Sequence, residues 1–406
     1  MKIFSKFTPN LYLSQAFTSF MAHFQSQSQA DTNATQAQSK ISKRLGVLKS
    51  QVTLTYGARA ALYAYLSEQK KQHPKKTEVI ISAYTCRVLI NPILKLGLTP
   101  VFIDLDKESL RMSVEQINSK ISAKTLAIII QHTFGAMEDV QTLKKIHKNI
   151  PLIADNAHFL PNHEEIKQQA SFFNAAIFSF GTNKILSASN LGALVVYKSK
   201  NKLKYISLLQ DLPKKVIHKQ LFKNWWFTIC MKFYSFLSCG KALMFIAAKC
   251  KFVEPVVSTA EKKLNSSNVN YYKAPSHLAI TLLHALKFYQ KQITHRVLIK
   301  SIYQANLKSG LQFDKFFFKA QIFFPIKVKK PKKISKFLES KSYQINLDWT
   351  SDILVPYSKS IPSNFEIKDF PNAAKVAKHL VLLPLNKTIS PAQAVELCDL
   401  INQHES

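Results

Sequence analysis

The chain has 406 residues, 47% of them hydrophobic, enough for one large α/β domain and a smaller one, each with its own core. A peptide or a disordered tail is excluded. Lys and Arg number 56 against 24 Asp and Glu, a formal charge of +32, which favours nucleic acid, an anionic membrane surface or a phosphorylated substrate as partner and says nothing about fold.

Cys86, Cys230, Cys239, Cys250 and Cys398 form no Cys-x-x-Cys pair and have no His at metal-ligand spacing. A disulfide framework or a metal site is therefore not expected. Near the start Ser, Gln, Asn and Pro interrupt every apolar run and no small-residue cleavage site follows, so no signal peptide is read and a cytoplasmic protein is expected.

Residues 1–45 read as a lead-in. Within it 26–42, QSQSQADTNATQAQSKI, suits a mobile segment or an exposed helix. From Val52 short β-branched runs alternate with helical stretches. The strand candidates are Val52–Thr55, Val79–Ile81, Pro100–Ile103, Leu126–Gln131, Leu152–Ala154, Ala175–Ser179 and Ala193–Tyr197; the helical ones include Ala58–Gln69, Arg87–Leu96, Ser113–Ile121 and Val140–His147. Most of the strands are apolar throughout, which predicts a mostly parallel sheet covered on both faces, a three-layer α/β architecture.

Texture changes near Lys198. A basic stretch leads into Leu221–Ala248, the most aromatic part of the chain, whose polar positions Asn224, Thr228, Lys232 and Ser235 fall on one helical stripe. Lys232 in its middle argues against a membrane span. The helix reads either as core or dimer packing, or as an interfacial anchor with Trp225, Trp226, Phe227, Phe233, Tyr234, Phe236 and Phe245 at headgroup depth. His277–Tyr303 predicts a long helix, and the remainder mixes short strands with a closing helix at Pro391–Gln403. The division expected is a large domain over 46–255, with the aromatic insertion at about 215–252, and a small α/β domain over 256–406.

Three places carry chemistry. Thr55-Tyr56-Gly57-Ala58-Arg59 runs from a strand through Gly into an alanine-rich helix, whose start is an anion site that Arg59 reinforces. Leu152-Ile153-Ala154-Asp155-Asn156-Ala157-His158 ends an apolar strand in a carboxylate, with an imidazole three residues on; read alone, an Asp that caps the next segment and a His satisfied locally are the better explanation. Ile177-Phe178-Ser179-Phe180-Gly181-Thr182-Asn183-Lys184 places one lysine just after a buried strand. Together they supply what pyridoxal phosphate chemistry needs: a phosphate cup, a carboxylate for the pyridine nitrogen and a lysine for the Schiff base.

These places, with VIISAYTCRVLINPILKLGLTPVFIDLD, IIIQHTFGAMEDVQTLKKI and FPNAAKVAKHLVLLPLNKTISPAQ, occur in the order seen in the DegT/DnrJ/StrS-type sugar aminotransferases, which the chain resembles from about Val52 to Gln403. The resemblance implies a fold-type-I aminotransferase binding pyridoxal 5′-phosphate. It implies Lys184 as the cofactor lysine and proton shuttle, Asp155 on the pyridine nitrogen and His158 on the ring hydroxyl. Ser179 and the backbone of Gly57, Ala58 and Arg59 would hold the phosphate. Asn270 would reach the phosphate in the partner subunit's site, implying a homodimer with shared sites. The expected reaction moves an amino group from an amino acid, by analogy glutamate, to a keto sugar, nucleotide-linked, in surface polysaccharide or amino-sugar biosynthesis.

The chain also departs from the family pattern. Cys86 stands where an aromatic stacks on the cofactor, so either its sulfur or Tyr84 takes that role. Ala58 replaces a hydroxyl residue, which Arg59 would offset. Ser187-Ala188-Ser189-Asn190-Leu191-Gly192 keeps one glycine of a Gly-rich stretch, and an Arg expected near Tyr272 is missing. Two rival readings are a basic nucleic-acid binder, disfavoured because no recognition module is present, and a catalytically silent scaffold at a membrane surface or on a partner. The retention of Lys184, Asp155 and Ser179 together speaks for the enzyme.

Overall fold

The apolar runs read as strands all pair into one seven-stranded sheet in the computed structural model, which describes residues 13–107, 109–138, 140–146, 149–198, 203–233, 243, 246, 257–313 and 322–405. In chain order the first strands are β1 Val52–Thr55, β2 Glu78–Ser82, β3 Thr85–Cys86, β4 Thr99–Ile103, β5 Thr125–Gln131, β6 Leu152–Asp155, β7 Ala175–Phe180 and β8 Leu191–Val196. The sheet order is β1-β8-β7-β6-β5-β2-β4. From β7 to β4 it is parallel, while β8 runs antiparallel to both of its neighbours. Every residue of β5, β6 and β8 is buried, as continuous apolar strands must be when both sheet faces are covered.

The helices of this part are α1 Leu13–Met21, α2 Gln27–Leu45, α3 Ala58–Gln72, α4 Ile90–Lys95, α5 Val114–Lys120, α6 Val140–Lys144, α7 His163–Phe172, α8 Leu203–Ile206 and α9 Lys214–Phe233. There follow α10 Thr259–Lys262, α11 Ala279–Asn306, β9 Phe323–Lys327, α12 Pro331–Ser340, β10 Leu354–Val355, α13 Pro371–His379, β11 Leu380–Pro384 and α14 Pro391–His404. β9 and β11 form a two-stranded antiparallel sheet, and α14 packs on α11 and α12. The start of α14 is fixed by sequence: Ser390 accepts the Gln393 N–H, Gln393 accepts the Ser390 N–H, and Pro391 supplies the first helical φ.

The C-terminal part reaches back to the sheet at one place. β10 lies parallel to β3, with Leu354 opposite Thr85 and Val355 opposite Cys86. Arg87 next to it donates Nε to the Pro356 carbonyl at 2.9 Å and Nη2 to that of Ser358 at 2.8 Å, with Nη1 on Ser360. The chain after β10 is thus held over the ends of the parallel strands.

One expectation needs correction. The segment read as a lead-in is part of the body: α2 packs along α11 and buries Ala30, Ala37, Ile41 and Leu45, and α1 packs on α9 and α11. Its apolar residues are few but fall on one side, enough to seat a helix that is polar on average. The aromatic helix begins at Lys214, seven residues before Leu221, so the basic residues ahead of Leu221 are its first turns. Beyond Phe233 only residues 243 and 246 of that stretch are described, and Tyr234, Phe236 and Phe245 lie outside the described residues.

Candidate active site

Because β1, β6 and β7 run in the same direction, their last residues Thr55, Asp155 and Phe180 meet at one edge of the sheet. A cavity of about 540 Å³ opens there, lined by Gly57, Ala58, Arg59, Cys86, Asp155, His158, Ser179 and Lys184, and closed on the far side by residues 346–357. Open α/β sheets present ligands at this edge because the strand ends expose backbone groups and helix N-termini. Eight of the residues expected from sequence to form the site thus share one cavity.

At one end of the cavity α3 begins at Gly57, whose φ of 89° a side chain would strain, and no side chain caps the helix. The Ala60 and Ala61 N–H groups go to the Gly57 carbonyl, while those of Ala58 and Arg59, which no intrahelical carbonyl can take, lie with the helix dipole at this end. Arg59 lines it too, with its Nη1 on Glu261 Oε1. Glu261 is itself fixed by the Ser258 N–H at 2.8 Å and hydroxyl at 2.9 Å. The guanidinium is therefore held in an ion pair, rather than standing as a simple substitute for the hydroxyl that Ala58 lacks.

At the other end stand the titratable groups. Asp155 accepts the Ala157 N–H at 2.9 Å, the local cap that the sequence also allowed, and still lines the cavity. Burial pushes its carboxyl up to about 6, opposed by the Ala157 N–H and by Lys184. Lys184, just past β7, is lowered by burial, with Cys86 and Asp155 pulling the other way. A buried amine held low is a better base and nucleophile than a solvated one. Burial and then Lys184 hold His158 well below the ordinary imidazole value, so its ring is neutral. Its Nδ1 accepts the Phe134 N–H at 3.4 Å, which leaves the proton on Nε2 as a donor.

Of the two candidates for the ring-facing position, Cys86 lines the cavity and Tyr84 does not. Tyr84 is fully buried behind it and donates its hydroxyl to the Trp349 carbonyl at 2.7 Å. Tyr84 is thus turned into the core, its ring edge-on to that of Trp349 at 5.4 Å between centroids. Burial raises the Cys86 thiol above its ordinary value, keeping it a neutral packing group. Asn270 is exposed and outside its own chain's cavity.

Several contributors were not anticipated. Phe134 stacks on His158 with ring centroids 5.2 Å apart, and Trp349 meets both rings edge-on at 5.2 and 5.3 Å. Phe134 follows an apolar strand beside Gly135, a faint signal; nothing marks Trp349, whose place depends on the C-terminal part folding over the sheet. In the stretch after Lys184, Ser189 and Asn190 adopt φ of 51° and 62°, where the resembling family has glycines. Side chains from α9 and α11 hold them there. The Asn224 amide donates to Ser189 Oγ, Ser189 donates to Thr281 Oγ1 at 2.9 Å, and Asn190 Nδ2 donates to Gln220 Oε1 at 3.3 Å. Asn224 and Thr228 of the polar stripe on α9 are therefore turned inward, with Asn224 on the loop that carries the lysine.

Residues 26–235, just over half of the chain, match the profile of the DegT/DnrJ/EryC1/StrS aminotransferase family. The chain belongs to this family. It is 32% identical over 120 residues to the GDP-perosamine synthase of Vibrio cholerae, a segment covering 29% of this chain and 33% of that enzyme. The GDP-perosamine synthase of Escherichia coli O157:H7 is 34% identical over a segment of the same length and coverage. The chain thus spans about a third of the length of these relatives.

The fold extends much further than the sequence match. The PMP form of a putative sugar aminotransferase from Streptococcus pneumoniae superposes with a TM-score of 0.68 at 14% identity, covering 99% of this chain and 97% of that one. DesI, determined in the presence of its TDP-sugar product, superposes at 0.65 with 15% identity, covering 99% and 92%. The architecture is the α/β fold of these pyridoxal phosphate enzymes.

Pyridoxal 5′-phosphate is the family's cofactor, and the cavity's donor set suits it. An uncapped helix start and the Ser179 hydroxyl match a phosphate, a buried carboxylate matches a pyridinium, a neutral Nε2–H matches a phenolic oxygen, and a lowered amine matches an aldehyde. The lining is not basic: among its described residues Arg59 and Lys184 face Asp155, Asp348 and Asp352. The excess of 56 Lys and Arg over 24 Asp and Glu therefore lies on other surfaces.

Proposed function

We propose that the chain is a cytoplasmic, homodimeric, pyridoxal-phosphate-dependent aminotransferase that moves an amino group from glutamate to a keto sugar carried on a nucleoside diphosphate. The observation that carries this reading is the convergence of Lys184, Asp155, His158, Ser179 and the open start of α3 in one cavity. The acceptor class is supported by the relatives: two are GDP-perosamine synthases, and DesI has a TDP-sugar product.

When bound, pyridoxal phosphate supplies an electron sink and a carbon that holds the amino group between two half-reactions. The residues of this chain then divide the work. The start of α3 and Ser179 would anchor the phosphate. Asp155 keeps the pyridine nitrogen protonated, which its buried carboxylate favours because an ion pair offsets the cost of its own charge. His158 donates its Nε2–H to the ring oxygen, kept in that tautomer by the Phe134 N–H. Lys184 would hold the cofactor, and its amine, once released, would be the base that moves the proton of the donor's α-carbon. Asn270, exposed in its own chain, completes the phosphate site of the second subunit.

The test is the visible spectrum of the protein with added cofactor, followed by borohydride reduction and peptide mapping. A label on Lys184, and amino transfer from glutamate to a GDP- or TDP-linked keto sugar, are expected. A well-folded protein that takes up no cofactor, or a Lys184→Ala variant with full activity, would remove the reading.

A further inference from the structure

α1 and the 3₁₀ turn Ala22–Phe24 that follows it pack with their small residues inward. Ser19 and Ala22 are fully buried and Gln15 and Ala16 nearly so, whereas Phe17 and Phe24 are 65% and 70% exposed and Phe20 and Met21 more than 40%. A helix that needed only the protein core and water as neighbours would be turned the other way. The orientation is nevertheless built in. The Gln15 side chain donates to the Ser187 carbonyl, and Ser14 Oγ lies 2.9 Å from His284 Nε2 on α11.

α9 extends this apolar face. Phe20 meets Phe24 at 5.4 Å and Trp225 at 6.2 Å between ring centroids, and Phe222 meets Trp225 at 5.5 Å. His23 and His218 stack at 5.2 Å and join the two elements at their polar margin. The exposed Lys214, Lys215 and Lys219 lie on the first turns of α9, with Lys223 half-buried beyond them. Neither Leu13–Phe24 nor Lys214–Phe233 contains an Asp or a Glu. Lysines at a helix N-terminus oppose the helix dipole, so an anion placed there relieves two repulsions at once.

We propose that the face formed by α1, the turn Ala22–Phe24 and the first half of α9 docks on an anionic lipid bilayer. Phe17, Phe20, Met21, Phe24 and Phe222 enter the headgroup and upper acyl region, and the lysines of α9 lie on the lipid phosphates. No helix among the described residues is long and apolar enough to cross a membrane, so this is a surface contact. A bilayer is favoured over a second copy of the chain by charge. A second copy would bring a face that carries lysines and no carboxylate against another of the same kind, whereas an acidic leaflet supplies the opposite charge while the rings leave water.

The test is co-sedimentation of the cofactor-loaded, full-length protein with vesicles of phosphatidylcholine containing one-third phosphatidylglycerol, against vesicles of phosphatidylcholine alone. Binding at least tenfold stronger to the acidic vesicles is expected. A further loss of at least tenfold is expected in Phe17→Ser/Phe24→Ser and, separately, in Lys214→Glu/Lys215→Glu, each with its cofactor spectrum unchanged. The second pair keeps the test informative if the first folds poorly. Wild-type protein remaining in the supernatant, or binding unaffected by either pair, would overturn the proposal. So would lipid-free wild-type protein that self-associates through this face and dissociates in the Phe variants, which would give the face to a second copy.

Discussion

Gly192 lies where one methyl group would force apart the two strands that set the phosphate end of the cavity. It sits in β8 between Thr55 of β1 and Ser179 of β7. A Cβ placed there would fall 2.6 Å from the Gly57 carbonyl carbon, 2.7 Å from the Ala58 nitrogen and 2.7 Å from the Phe178 carbonyl oxygen. Non-bonded carbon contacts are most favourable at roughly 3.5–4.0 Å, so relief requires a shift of about 1 Å. All three neighbours are backbone, and none can rotate away. Overpacking of this kind costs about 1–3 kcal/mol, and the rigidity of the neighbours places Gly192→Ala at the upper end. The displaced group is the start of α3 itself. Losing one hydrogen bond to a charged phosphate is worth about 1.5–3 kcal/mol, so the cofactor Kd should rise by about tenfold or more. Thermal unfolding and a spectrophotometric cofactor titration measure the two effects. Gly310→Ala, where an added Cβ meets nothing within 4 Å, serves as the neutral control. Gly192→Ala with a melting temperature and a cofactor Kd both indistinguishable from wild type would refute the close-approach argument.

Other outcomes follow from the same geometry. In the cofactor-free protein, the stability conferred by the raised carboxyl of Asp155 is present below about pH 4 and is lost as pH rises through about 6. Asp155→Asn cannot ionise, so above pH 6 the cofactor-free variant should be more stable than wild type, by up to about 3 kcal/mol, while losing amino transfer. Melting curves of both proteins from pH 4 to 8 check this, and a pH-independent difference would contradict it. Asn224→Ala leaves Gln220 Nε2 without its 3.1 Å acceptor and frees Ser189 from α9. A loss of about 1–3 kcal/mol is expected, together with a lower kcat, since the loop bearing Lys184 loosens; unchanged kcat would limit α9 to packing. Trp349→Ala removes a ring that braces both His158 and Phe134 and should cost about 3–5 kcal/mol and weaken cofactor binding. Cofactor affinity equal to wild type would show that His158 needs no brace.

Much of this protein was legible in its residues because the informative signals are local. Continuous apolar runs such as Thr125–Gln131 are buried on both faces, and every run read as a strand formed one. The cavity residues lie within a few positions of a strand end or a helix start, so the sequence motifs that contain them also place them. One local reading was misleading. Residues 26–42 look polar on average, yet a few small and aliphatic side chains on one side seat α2. Sequence does not choose between Tyr84 and Cys86, two places apart; the packing of Tyr84 against Trp349, with Cys86 on the cavity, does.

The sequence by itself determined the mostly parallel α/β sheet, the family, and the lysine, carboxylate, imidazole and helix start of the candidate site, because each is written in short-range pattern. The tertiary structure decided what depends on distant segments meeting. It set the Phe134 and Trp349 rings around His158, the ion pair of Arg59 with Glu261, and the support of Ser189 and Asn190 by α9. It also turned the aromatic face of α1 outward. No periodicity encodes such contacts, since a side chain's partner on a distant element, from 24 residues away for Phe134 and His158 to 202 for Arg59 and Glu261, is chosen by the packing of whole elements.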